Sequence, residues 1–90
     1  MEKHLSIQVF GKVQGVWFRA STERKAKELG IRGRVRNLSD GSVFIEASGT
    51  SVAMQSFIEW CHKGPMHARV DRLEQKEVDA QTFTNFQIIR

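Results

Sequence analysis

The segment Ile31–Ser48, IRGRVRNLSDGSVFIEAS, carries the plan of the fold. Ile31, Gly33, Val35 and Asn37 alternate with Arg32, Arg34 and Arg36, so one face is apolar or small and the other cationic, the period of two of a half-buried strand. Leu38-Ser39-Asp40-Gly41 is a turn signal, Asp40-Gly41 being suited to positive backbone dihedrals, and Val43, Ile45 and Ala47 give the return strand, Ser42 to Ser48, an inward face. The segment predicts a β-hairpin in which Asn37 shares the parity of the buried face.

On the N-terminal side, His4 to Gly11 alternates in the same way, with Leu5, Ile7 and Val9 on one face. Phe18, Thr22, Ala26 and Leu29 then recur at helical spacing and Gly30 supplies the C-cap, predicting a helix over Phe18–Leu29. On the C-terminal side, Ser51 is the expected cap of a second helix. Its apolar stripe is Val52, Met54, Phe57, Ile58 and Cys61, and Gly64-Pro65 stops it. Arg69 to Val78 reads as a charged strand whose alternation slips between Val70 and Leu73, the mark of a bulge, and Phe83 to Ile89 as a short closing strand. The order β, α, β, β, α, β with an extra short β predicts an α+β ferredoxin-like split βαβ sandwich: a mostly antiparallel sheet with two helices on one face. Its open face should carry Ser6, Gln8, Phe10, Arg32, Arg34, Arg36, Phe44 and Glu46.

The whole chain, 90 residues, suits one domain spanning 1–90, of which about two-thirds or a little less of the unfolded surface can be buried. A composition of 40% hydrophobic and 27% charged residues is ordinary for a globular chain, and no repeat or low-complexity tract interrupts it. No continuous apolar run resembles a signal peptide or a membrane span, so a cytoplasmic protein without a membrane partner is expected. Cys61 is the only cysteine, which rules out an intrachain disulfide, a CxxC pair and a Cys-rich metal site. His4, His62 and His67 lack metal-ligand spacing, so no metal and no cofactor are expected. The net charge of +4 favours anionic partners without identifying them.

Between the first strand and the first helix lies GKVQGVWFR, Gly11 to Arg19. A glycine-bearing loop that runs into a helix N-terminus meets the requirements of a phosphate cradle: unpaired backbone N–H groups, the positive end of the helix dipole and glycine's tolerance of positive φ. If the main chain of Gln14 to Arg19 faces an anion, the side chains of Val16, Trp17 and Phe18 are free to turn away and anchor the loop. Arg19 is then placed to close over the anion with a bidentate, charge-assisted pair. Taken alone, the loop reads equally as a plain connection with core residues, and Asn37 as a turn asparagine before Asp40-Gly41. The segment is neither a P-loop nor GxGxxG.

GKVQGVWFR followed by GRVRNLSDGSV resembles the acylphosphatase family, and the likeness continues through Leu29-Gly30-Ile31, Gly49, Phe57, Gly64-Pro65, Ala68 and Val70. The resemblance implies the same ferredoxin-like fold and metal-independent hydrolysis of the carboxyl-phosphate anhydride of acyl phosphates to carboxylate and inorganic phosphate. It further implies a phosphate-binding loop made of Gln14, Gly15, Val16, Trp17, Phe18 and Arg19, with Arg19 binding phosphate and Asn37 orienting the attacking water. Trp17 stands where the family commonly has Gly or Phe, and Arg34 where an aromatic residue is common. A monomer with a small-molecule acyl phosphate as its partner is expected.

Two other readings follow from the same residues. A sheet face bearing Phe10, Phe44, Arg32, Arg34 and Arg36 has the elements of a nucleic-acid binder. The RNP1-type aromatic pattern is missing, Glu46 falls on that face and +4 is a modest charge, so no dedicated nucleic-acid partner is expected. A non-catalytic phosphate-sensing module is the third reading. Cys61 beside His62 is not expected to be a nucleophilic pair.

Overall fold

The hairpin forms as the alternation requires. In the computed structural model, which describes residues 1–90, β2 (Arg32–Asn37) pairs antiparallel with β3 (Val43–Thr50), Val35 opposite Ile45 and Asn37 opposite Val43. Val35, Val43 and Ile45 are fully buried. β1 (Glu2–Lys12) lies on the other side of β3, also antiparallel, with Leu5 opposite Ala47, Ile7 opposite Ile45 and Val9 opposite Val43. β4 (Arg69–Glu77) takes the free edge of β1, and β5 (Phe86–Ile88) runs parallel to β2, giving the sheet order β4-β1-β3-β2-β5. Two helices, α1 (Phe18–Leu29) and α2 (Ser51–Lys63), bury Phe18, Thr22 and Ala26, and Met54, Phe57 and Cys61, against the sheet. The ferredoxin-like α+β arrangement read from the sequence is the observed fold. The buried Thr22 hydroxyl is satisfied within its helix, donating to the Phe18 carbonyl at 2.7 Å.

Element ends differ from the sequence reading where tertiary contacts decide them. β1 extends to Glu2 and Lys12 because β3 and β4 offer partners at Thr50 and Arg69. β2 begins at Arg32, since the Ile31 N–H is taken by the Ala26 carbonyl behind the left-handed Gly30 cap. β3 starts at Val43 and runs to Thr50, so Thr50, not Ser51, caps α2: its hydroxyl accepts from the Ala53 N–H at 3.1 Å. Ser51 is instead the first helical residue and donates its N–H to the Met1 carbonyl at 2.9 Å. Val52, read as part of the apolar stripe, is exposed, because it lies about 160° around the helix from Met54. β4 ends at Glu77 and β5 is confined to Phe86–Ile88. Phe83 leaves the ladder and lies under the Arg34 guanidinium, 5.7 Å from ring centroid to Cζ.

The slip expected between Val70 and Leu73 is present. Phe10 pairs with Arg72 and Gly11 with Val70, leaving Asp71 as the extra residue of a bulge. Gly33 is the position in the central ladder where only glycine fits: its φ is 149° and a Cβ there would overlap the Glu46 carbonyl. Gly33→Ala is expected to cost about 2–3 kcal/mol of stability, measured as a fall of about 10 °C or more in Tm. A melt indistinguishable from wild type would show that the β2–β3 spacing adapts.

Candidate active site

The topology gathers the predicted residues at one end of the sheet. β1 and β2 both pair antiparallel with β3, so they run parallel to each other and their C-terminal ends lie at the same edge. The loop Val13–Trp17 follows β1, and Asn37 closes β2. β5 is parallel to β2 and brings Ile88 and Arg90 to the same end. Between them is a cavity of about 320 Å³ lined by Gly15, Trp17, Phe18, Arg19, Asn37, Ile88 and Arg90, with Val13 and Ala20.

The loop's backbone has the donors an anion needs. No N–H group from Gln14 to Ala20 reaches a backbone carbonyl, and the first bond of α1 runs from the Ser21 N–H to the Trp17 carbonyl at 2.9 Å. No side chain caps the helix and its first turn carries no acidic residue. The positive end of the helix dipole is therefore left to an external partner. Gly15 supports the curl with φ 74°.

Arg19, half-buried in the first turn of α1, pairs with no carboxylate of the chain. Asn37 is partly buried, and its side-chain oxygen Oδ1 is buried without a hydrogen-bond partner. A buried acceptor left unpaired is costly unless something else fills it, and this one belongs to a residue lining the cavity that Arg19 also lines.

Gln14 does more than its sequence reading gave it. Beyond the backbone N–H, its side-chain amide donates to the Leu38 carbonyl at 2.8 Å and the Ser42 carbonyl at 2.9 Å, tying the loop to the β2–β3 turn. That turn is itself braced. Asp40 accepts from the Ser42 hydroxyl and from the Ser42 N–H, which together hold its carboxyl below the usual carboxylate range. Gln8 donates to the Ser42 hydroxyl at 2.9 Å. An amide placed among glycines and apolar residues was the available signal for Gln14, but its acceptors lie 24 and 28 residues away in sequence.

The apolar run of the loop is divided. Val16 and Phe18 are in the core, and Phe18 packs on Trp60 with ring centroids 5.6 Å apart. Trp17 does not anchor the loop as the sequence suggested: it is 78% exposed, because its flanking residues point inward and its own φ of 65° turns the chain into the helix. It is the one non-glycine residue with positive φ, a conformation that costs a bulky side chain about 1–3 kcal/mol.

Elsewhere the chemistry is quiet. Cys61 is buried and its thiol is pushed far above its ordinary range by burial, so it is not an activated nucleophile. No group of three or more His, Cys, Asp and Glu side chains is arranged to hold a metal ion. On the open sheet face Arg34 is paired with Glu46 and Arg32 with Glu2. Arg36 lies 5.5 Å from the Phe44 ring centroid and Arg72 3.9 Å from that of Phe10, so these rings are already stacked by the chain's own cations. A larger groove of about 630 Å³ between α2 and β4 contains none of the predicted site residues.

The sequence model of the family described as Acylphosphatase matches residues 5–88, nearly the whole chain. The chain belongs to the acylphosphatase family. Among acylphosphatases similar to it, that of Marinobacter nauticus is 54% identical over 79 residues, covering 87% of this chain and 86% of the relative. The acylphosphatase of Methylococcus capsulatus is 45% identical over 89 residues, covering 98% and 97%. The solved structure of an acylphosphatase from Coxiella burnetii superposes with a TM-score of 0.95 at 36% identity, covering 98% of this chain and 93% of that one. The acylphosphatase likeness thus extends over sequence and fold together.

Proposed function

We propose that this chain hydrolyses the carboxyl-phosphate anhydride of small acyl phosphates without a metal or cofactor, acting as a monomeric single domain over residues 1–90 in the cytoplasm. The activity is that of its family. The observation that carries the site assignment is that Asn37, at the end of β2, lines the same cavity as Arg19 and the loop whose backbone N–H groups are free. No helix is long and apolar enough to cross a membrane.

The phosphoryl group of the substrate sits against the free N–H groups of Gln14 to Phe18, and the Arg19 guanidinium forks two of its oxygens. These donors are in place before reaction, so they stabilise charge that shifts on the phosphoryl oxygens without reorganising. The Asn37 amide accepts from and donates to a water, holding it for attack on phosphorus. The new bond is water oxygen to phosphorus, and the bond that breaks is phosphorus to the bridging acyl oxygen, which leaves with its electron pair as carboxylate. Both water hydrogens end on the product phosphate. No side chain need take a proton, consistent with a neutral asparagine as the positioning group and a leaving group that is already a weak base.

Purified wild-type protein in EDTA is expected to hydrolyse benzoyl phosphate, with inorganic phosphate as a competitive inhibitor. Folded protein that turns over neither benzoyl nor acetyl phosphate would overturn this reading.

A further inference from the structure

Trp17 is held where neither backbone preference nor burial accounts for it. Its φ is 65° and the residue is 78% exposed. It joins none of the aromatic or cation–π pairs of the fold. Glycine would adopt the same φ without strain. A large indole in a strained, wet position is free to meet something outside the chain, and what sets it apart from the likewise exposed Val52 and Met66 is its place: Trp17 lines the cavity shared by Arg19 and Asn37. Being exposed while lining that cavity puts it at the mouth.

The cavity, at about 320 Å³, reaches the lower range of small-ligand pockets and exceeds what a phosphoryl group alone needs. The polar groups described above are concentrated on the phosphoryl end. Of the other lining residues, Val13 and Phe18 are buried in the core, so the apolar surface available to a ligand comes from Trp17, the half-buried Ile88 and the small side chain of Ala20.

We propose that Trp17, with Ile88, forms the acyl-group wall of the site and makes the enzyme selective for acyl phosphates with an aromatic or extended apolar acyl group. The inference rests on the acylphosphatase reading above. An indole face stacks on a planar acyl group and sheds water from both surfaces, whereas a small acyl group such as acetyl leaves the wall uncovered. Arg90 also borders the cavity and forms no ion pair, so the competing assignment is a preference for acyl groups with a second anionic end.

The test measures kcat/KM for benzoyl, acetyl and succinyl phosphate with wild type, Trp17→Gly, Trp17→Phe and Arg90→Gln, with thermal melts of each. Wild type is expected to favour benzoyl over acetyl phosphate by about ten-fold. Trp17→Gly should erase most of that ratio, chiefly through KM for benzoyl phosphate, while Tm rises as the backbone strain is relieved. Trp17→Phe should keep most of the ratio. An unchanged benzoyl-to-acetyl ratio in Trp17→Gly overturns the proposal and leaves the hydrolase reading intact. Preference for succinyl phosphate that disappears in Arg90→Gln overturns it in favour of the cation. Folded wild type inactive on all three substrates overturns the hydrolase reading itself, and this proposal with it.

Discussion

Arg19→Ala is expected to lower kcat/KM for benzoyl phosphate by about a thousand-fold or more, the range lost when a guanidinium that stabilises a phosphoryl transition state is removed. The side chain sits in the first turn of α1 and has no carboxylate of its own, so its charge is available to a ligand. Removing it deletes both prongs of the fork and leaves backbone N–H groups to hold a dianion. Binding and chemistry both suffer, so inhibition by inorganic phosphate should weaken along with turnover. Arg19→Lys should recover little, because an ammonium is a point charge that does not reproduce the planar fork. The fold should survive. A cation near a helix N-terminus opposes the dipole, so its loss costs little stability and offsets part of the packing lost with its alkyl stem. Activity within ten-fold of wild type in a folded Arg19→Ala variant would remove Arg19 from the site.

Asn37→Ala is expected to divide the two halves of the reaction that Arg19→Ala affects together. Losing the group that orients water should reduce kcat by about a hundred- to a thousand-fold, while inorganic phosphate still inhibits at close to its wild-type concentration. The stability cost should be small, since Oδ1 has no protein partner to lose and its removal takes away an unsatisfied buried acceptor. Asn37→Asp is the sharper variant. It keeps the shape but sets a carboxylate beside a bound dianion, so it should be at least as inactive as Ala and should weaken phosphate inhibition through like-charge repulsion. Loss of phosphate inhibition in Asn37→Ala would make Asn37 a phosphate ligand, and unchanged kcat would make it a turn residue.

These expectations rest on residues legible before the fold was seen, and the reason is local chemistry. Leu5, Ile7 and Val9 can share a face only if the chain is extended, and Phe18, Thr22, Ala26 and Leu29 only if it is helical, because Leu29 breaks the period of two that the other three would also satisfy. Gly64-Pro65 ends α2 whatever surrounds it. Arg19 and Asn37 stand in two motifs in order along the chain, and those motifs carry the resemblance to the family.

What the chain carries in its own order is therefore the element sequence, the inward faces and the glycine-bearing loop proposed to hold phosphate, all governed by backbone geometry within a few residues. Tertiary structure alone decided the rest. Thr50 became the cap of α2 because β3 had a partner that far along β1. Gln14 became a strut because the β2–β3 turn, two dozen residues away, presents carbonyls at 2.8 and 2.9 Å. Arg36 and Arg72 came to stack on Phe44 and Phe10 because those rings stand on neighbouring strands. Trp17 turned outward to the mouth of a cavity that Ile88 and Arg90 also line, and these arrive with a strand at the other end of the chain. Each of these depends on which strands become neighbours, a choice set by burial of the whole sheet against both helices and written in no single stretch of sequence.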